Sequence, residues 1–387
     1  ISSSGQLFEY LPAEGRLRFC FDLLQECMVS ERAIPPSKIH SSMQALPDGR
    51  LIMATHNTAP APSHPFWMYD AYYTHMWEGF AGGNLLTYDP DSQDVRNLGI
   101  PVPRESIYGG VYDERHNAYY AIGFGRGHMY RIDLNNMNVA DMGQVAECGA
   151  FRLTVGPDGH IYGSTRTGWI HRIDVDRQEV IDLNQQLPTR PEVPSRIQYA
   201  FGVCGPDGRL YMANHCSDLL AALDVKSGKL EVLGSMDPGP IHKKNFPRCP
   251  SGLVFDDKGV LWYTVHGATE GYMGLWSHLV SWDVTRGGKP ELHGLLGTPE
   301  RTAWYSSEMI HHDNVLYATD TNHLEDMPGI VRVDLDALAK AKDEPREKTR
   351  DPMAYGIFSD AEEAYPGKSE DLQAFREFQK TGREAAE

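Results

Sequence analysis

Cysteine is scarce in this 387-residue chain: Cys20, Cys27, Cys148, Cys204, Cys216 and Cys249 are the only six, and no two of them form a CxxC pair. A disulfide-scaffolded fold is therefore excluded, while the redox compartment is left open. Basic charge is also short. Lys and Arg number 36 against 53 Asp and Glu, a formal net charge of −17, so a nucleic-acid backbone or an anionic membrane would be repelled and neither is expected as a partner. No apolar run approaches the ~20 residues that span a bilayer, which predicts a chain outside the membrane. The sequence starts at Ile1 rather than Met. Loss of a secretion leader is compatible with that start, so a secreted or periplasmic location is the expectation and a cytoplasmic one the alternative.

What is abundant points elsewhere. The chain carries 37 Gly, 25 Pro, 19 Tyr and 7 Trp with only 23% charged residues, a turn-rich and aromatic composition that suits many short strands rather than disorder or long helices. At this length the alternatives are two α/β domains or one large all-β ring or barrel.

Repeats choose between them. PDGRLIMATH (47–56), PDGHIYGSTR (157–166), PDGRLYMANH (206–215) and DKGVLWYTVH (257–266) share a turn followed by a strand, and RHNAYYAIGF (115–124) and HDNVLYATDT (312–321) are looser copies. Downstream of each, an apolar strand closes on Asp89, Asp133, Asp174, Asp224, Asp283 or Asp334, and a further strand precedes each hairpin. Four short strands recurring at this period make a β-propeller blade. The expected fold is an all-β propeller over 1–360, seven blades favoured over six. The N-terminal pair LFEYLP and LRFCFDL would complete the last blade with C-terminal segments. Residues 57–82, rich in Pro and aromatics, read as a lid or binding loop that includes Trp67. Residues 361–387 read as a C-terminal helical tail.

Register then singles out side chains. His56, Arg166, His215 and His266 each stand seven places after a turn glycine, so they fall at the ends of second strands on one face of the ring. One such histidine is ordinarily a packing residue, but three in the same register mark a site. His40 and Tyr108 begin the innermost strands of consecutive units, as Tyr199 begins another, and Arg126 follows Tyr108 across its hairpin. Histidine is a base at neutral pH, Tyr can protonate a leaving alkoxide, and Arg binds carboxylates through its planar fork. Together these groups suit β-elimination beside a uronic acid carboxylate. GFGRG (123–127) runs into a strand rather than a helix, which excludes a dinucleotide loop.

The segments KIHSSMQALPDGRLIMATH (38–56) and IYGGVYDERHNAYYAIGFGRGHMY (107–130) resemble the β-propeller polysaccharide lyases that act on uronic acids, the ulvan lyases and rhamnose–glucuronate lyases. The resemblance implies a carbon–oxygen lyase acting on an acidic oligo- or polysaccharide. It implies His40 or His56 as base or its partner, Tyr108 as acid and Arg126 as the group that neutralises the carboxylate. Arg166, Tyr199, His215, His266 and Trp67 are then the candidate substrate-binding residues. A second expectation is one divalent metal, Zn, Mn or Ca, on His215, His266 and His311, since imidazole is a common metal ligand. The competing classes are a metal-dependent, lactonase-like propeller hydrolase and a non-catalytic binding propeller.

Overall fold

The computed structural model describes residues 5–27, 36, 38–56, 81–147, 152–189, 199–214, 217–239, 249–267, 276–303, 306–320 and 329–360. Six antiparallel sheets of four strands follow one another, each strand paired with the next in the chain. Blade 1 contains Met43–Ala45, Leu51–Ala54, Leu85–Tyr88 and Val95–Gly99; blade 2 contains Ile107–Asp113, Ala118–Gly123, His128–Asp133 and Val139–Gln144. Thr154–Val155, Ile161–Ser164, Trp169–Asp174 and Glu179–Gln186 form blade 3, and Tyr199–Cys204, Leu210–Asn214, Leu219–Asp224 and Lys229–Ser235 form blade 4. Blade 5 has Cys249–Phe255, Leu261–Gly267, Trp276–Trp282 and Glu291–Leu295, and blade 6 has Met309–His312, Val315–Asp320, Gly329–Asp334 and Gly356–Asp360. First strands of blades 1 and 2, 2 and 3, 4 and 5, and 5 and 6 touch one another. That contact pattern places the first strands innermost, around the axis of an all-β propeller.

Local chemistry explains why the repeats fold this way. Gly49, Gly159, Gly208 and Gly259 have φ between +77° and +88°, a left-handed turn conformation that glycine adopts most cheaply. The Asp one or three residues before each accepts a backbone N–H across the turn: Asp48 from Arg50, Asp158 from His160, Asp207 from Arg209 and Asp256 from Lys258. In three blades the same carboxylate also receives an aromatic donor of the second strand, from Tyr162, Tyr211 and Trp262. The aspartates that close third strands do parallel work. Asp89, Asp133, Asp174 and Asp224 accept N–H groups of the next turn, and Asp334 caps the helix Leu335–Lys340.

The N-terminal pair lies between blades 6 and 1, and the C-terminal residues after Asp360 lie outside the described residues. Gln6–Leu11 and Arg16–Asp22 pair with each other in a two-stranded sheet, and the last described strand, Gly356–Asp360, completes blade 6 instead of joining them. This hairpin is a partial seventh sector. Tyr10 lies 5.5 Å from Tyr317 of blade 6, Ser359 Oγ donates to Gly15 O at 3.0 Å, and Phe21 lies 5.5 Å from Tyr88 of blade 1. Among the described residues there are thus six complete blades, where seven were favoured. The segment 57–82 joins the second and third strands of blade 1; except for Ala81 and Gly82 it lies outside the described residues, as do Trp67 and the tail 361–387. No described helix is long and apolar enough to cross a membrane.

Candidate active site

In every blade the turn between the first and second strands and the Asp-terminated turn after the third lie at one end of the strands. The second strand runs away from them, so His56, Arg166 and His266 reach the opposite face. The start of each innermost strand reaches that face too.

Blades 1 and 2 are joined there by a parallel bridge between Ser41 and Gly109, with Ser41 N–H donating to Tyr108 O at 3.0 Å and Gly110 N–H to Ser41 O at 2.9 Å. This zipper sets His40 and Tyr108 side by side, their rings stacked at 3.9 Å with 20° between planes. The ladder of blade 2 shifts register between Ile107 and Gly109. Tyr108 therefore sits at a bulge, the kind of irregularity that redirects a side chain. Its ring meets the edge of His56 at 4.7 Å and lies 5.1 Å from Phe124, while His40 and His56 are 6.1 Å apart. His40, His56 and Tyr108, separated by up to 68 positions in the chain, form one cluster.

His56 is fully buried. Ser106 Oγ lies 2.8 Å from its Nδ1, whereas Nε2 has no hydrogen-bond partner among the described residues. Burial first, and the charge of Lys38 second, hold the imidazole well below its usual pKa of 6.5, so the ring is neutral at pH 7. Lys38 faces His56 across an antiparallel bridge, where its carbonyl accepts His56 N–H at 2.6 Å. Burial lowers the Lys38 ammonium to about 8. His40 is half-buried, with Nδ1 3.2 Å from Ser41 Oγ.

Arg126 follows the second strand of blade 2, across the hairpin from Tyr108, and carries a protein partner. Glu105, fully buried, accepts Arg126 N–H at 3.0 Å and Nε–H at 3.1 Å, and an Nη–H of Arg126 donates to Tyr130 Oη at 3.0 Å. The carboxylate fits because residue 123 is glycine: a Cβ there would lie 2.3 Å from Glu105 Oε1. The guanidinium is thus already compensated by a protein carboxylate.

His266 is also buried, but both nitrogens are engaged: Nε2 lies 2.5 Å from Ser251 Oγ and Nδ1 3.2 Å from Ser277 Oγ. Arg166 donates its backbone N–H to Glu147 at 2.8 Å. His215 lies outside the described residues, and so does the side chain of Tyr199, whose backbone begins the inner strand of blade 4.

Of the expected metal ligands His215 lies outside the described residues, and the two described ones, His266 and His311, are apart. His311 pairs with Leu316 beside a hairpin turn and has Nδ1 3.8 Å from Asp257 Oδ1 in the Asp-Gly turn of blade 5. His266 ends the strand that leaves that turn, so the two lie at opposite ends of their blades, and His266 has spent both nitrogens on serines. Among the described residues, His160, Asp174 and Asp176 bring ligand atoms within 4.8 Å of one another. They do so on the turn face, where His160 Nδ1 and Asp174 already accept backbone N–H groups.

No family model matches the chain, and no curated protein does. Solved structures do. Virginiamycin B lyase from Staphylococcus aureus aligns with a TM-score of 0.53 at 14% identity, covering 76% of this chain and 80% of its own. Hydrazine synthase of Kuenenia stuttgartiensis gives 0.56 at 14%, covering 85% and 86%. A Lactobacillus plantarum protein gives 0.58 at 13%, covering 92% and 96%. At such identities the likeness concerns the fold.

The sequence left Lys38, Glu105 and Ser106 out of the site. Lys38 stands within the KIH segment and Glu105–Ser106 directly precede the inner strand of blade 2. A polar pair entering an apolar strand was the available signal.

Proposed function

We propose that the His40–His56–Tyr108 face carries out β-elimination on an acidic sugar chain, cleaving the bond at C4 of a uronic acid. One observation carries this reading: a buried, neutral imidazole with an open nitrogen lies against the ring of a tyrosine. For Nε2 of His56 to act as base, Nδ1 holds the ring hydrogen and donates it to Ser106 Oγ. Nε2 then takes the C5 proton, the C5–H electron pair forms the C4–C5 double bond, and the C4–O bond breaks. Tyr108 gives its phenolic proton to the departing oxygen. The proton on His56 afterwards returns to the phenolate, restoring both groups. Burial around His56 and Tyr108 strengthens each charge interaction made during the step. The Staphylococcus aureus neighbour bears the name of a lyase, so the scaffold admits that reaction class; its substrate is not carried over.

The test is a panel of uronate-containing glycans followed by ultraviolet absorbance. The conjugated uronide made by elimination absorbs, whereas hydrolysis yields new reducing ends without absorbance. New reducing ends with no absorbance would overturn the lyase reading.

A further inference from the structure

A site built to remove a proton beside a carboxylate needs a positive charge that is not already matched. Arg126 is a poor source of it, because Glu105 is fully buried and takes two of its N–H groups. Lys38 is different. Residues directly opposite in an antiparallel bridge project to the same side of the sheet, with Cβ atoms roughly 5 Å apart. The Lys38–His56 bridge therefore puts the ammonium-bearing chain beside the imidazole, and the lowered pKa of His56 registers that charge. Among the described residues, Lys38 has no carboxylate and no hydrogen-bond acceptor for its side chain. The neighbouring His56 Nε2, itself buried, likewise has no hydrogen-bond partner there. A half-buried cation without a counter-ion next to an open imidazole nitrogen makes an anion-receiving corner, since an unpaired charge taken out of water is costly until a ligand matches it.

We propose that Lys38, rather than Arg126, receives the carboxylate of an acidic sugar beside His56 and Tyr108. The role deepens the lyase reading, which supplies the ligand class, but it concerns binding and can be measured without turnover. The ammonium would hold the carboxylate at the mouth of the cluster and stabilise the charge that spreads onto it when the adjacent C–H proton leaves. Glu105 and Arg126 would then frame the site as a compensated pair, fixing the backbone of the 123–127 turn.

Glucuronate is the probe, with its binding measured calorimetrically on the full chain and by the shift of the His56 imidazole resonance. Lys38→Met should weaken glucuronate at least about tenfold, the worth of one charge-assisted hydrogen bond. Lys38→Arg should retain most of the affinity, and Arg126→Met should change it less than Lys38→Met does. Circular dichroism and thermal melts show whether each variant is folded. If Lys38→Met is unfolded, Lys38→Arg and Arg126→Met still decide. Loss of glucuronate in Arg126→Met with retention in a folded Lys38 variant, or no glucuronate binding by the native protein, overturns the proposal. Lys38-dependent binding without any unsaturated product from the glycan panel would leave this assignment standing and remove the lyase reading.

Discussion

His56 and His266 occupy the same register in blades 1 and 5, yet their surroundings give them opposite characters. Lys38 and Cys249 stand opposite these histidines on the first strands. Two residues further on, blade 1 has His40 where blade 5 has Ser251. On the third strand Ser277 pairs with His266, whereas continuing the pairing of Ala54 with Leu85 brings Gly83 opposite His56. A Cβ on Gly83 would lie 2.5 Å from Thr55 O, so no serine fits. Blade 5 thus brackets its histidine with two hydroxyls and closes it off. Blade 1 offers a single hydroxyl, borrowed from Ser106 of the next blade, and leaves Nε2 facing aromatic rings. Register fixes where a side chain is; the residues on either side decide whether its chemistry remains available.

The largest effect expected from this contrast is catalytic. His56→Ala should lower the elimination rate by roughly 10²–10⁴, the range for one positioned proton-transfer group. His266→Ala should leave the rate within a few-fold but cost about 1–3 kcal/mol of stability, because Ser251 and Ser277 each lose one buried partner while keeping contacts to Ser306. Rates by ultraviolet absorbance and urea unfolding of both variants measure the two quantities. Equal losses of rate would erase the distinction between the blades.

A third buried histidine extends the series from two partners to one to none. His171, in the third strand of blade 3, has neither ring nitrogen hydrogen-bonded among the described residues, and burial lowers it to about 4. An unfolded histidine titrates near 6.5. Between these values the unfolded chain binds the extra proton, so stability present above pH 6.5 is lost as pH falls toward 4, by about 3 kcal/mol in all. Urea unfolding at stepped pH should show this decline, and His171→Leu should make it shallower by that amount, leaving the share of His56, His278 and His293, which burial also lowers. A wild-type curve indifferent to pH over that window would contradict the buried neutral state.

The same particulars show which parts were legible in the sequence. Asp-Gly turns and Asp-closed strands are local devices, each made by residues two or three apart, and so they announce the blades directly. His40, His56 and Tyr108 could be grouped because consecutive blades bring their inner strands together. The N-terminal hairpin turns locally, around Gly15 with φ +66°, and its contact with the distant strand Gly356–Asp360 was legible only from the expectation that a ring closes on its two ends. The fate of His266 depends on Ser251 and Ser277, and that of Arg126 on Glu105, pairs spanning 11 to 21 positions. No periodic signal marks such partnerships. Lys38 was hidden by its place within a motif read for its histidine.

Converting one blade toward the other sharpens the contrast at smaller scale. His40→Ser places in blade 1 the residue that blade 5 uses to close its histidine, while removing the ring stacked 3.9 Å from Tyr108. The rate should fall by about tenfold to a hundredfold, at or below the lower end of the acid–base range. The diagnostic reading is the His56 resonance, which should move toward that of His266. A normal rate with a shifted resonance would detach the open nitrogen from catalysis.

The smallest effect expected concerns Lys38, and its sign follows from which form binds an anion. Burial lowers its pKa to about 8, so at pH 7 the ammonium still predominates, whereas at pH 9 only about a tenth remains charged. Glucuronate affinity should therefore fall by up to about tenfold between pH 7 and 9. The groups around it do not supply this limb: His56 is already neutral throughout the window, and Arg126 keeps its charge at any of these values. A bound carboxylate favours the ammonium, so the limb should move to higher pH as glucuronate approaches saturation, which separates it from a group remote from the ligand. Lys38→Arg, with a cation that does not titrate here, should bind with a flat profile. Persistence of the decline in that variant would assign it to another group and leave blade 1 distinguished by its imidazole alone.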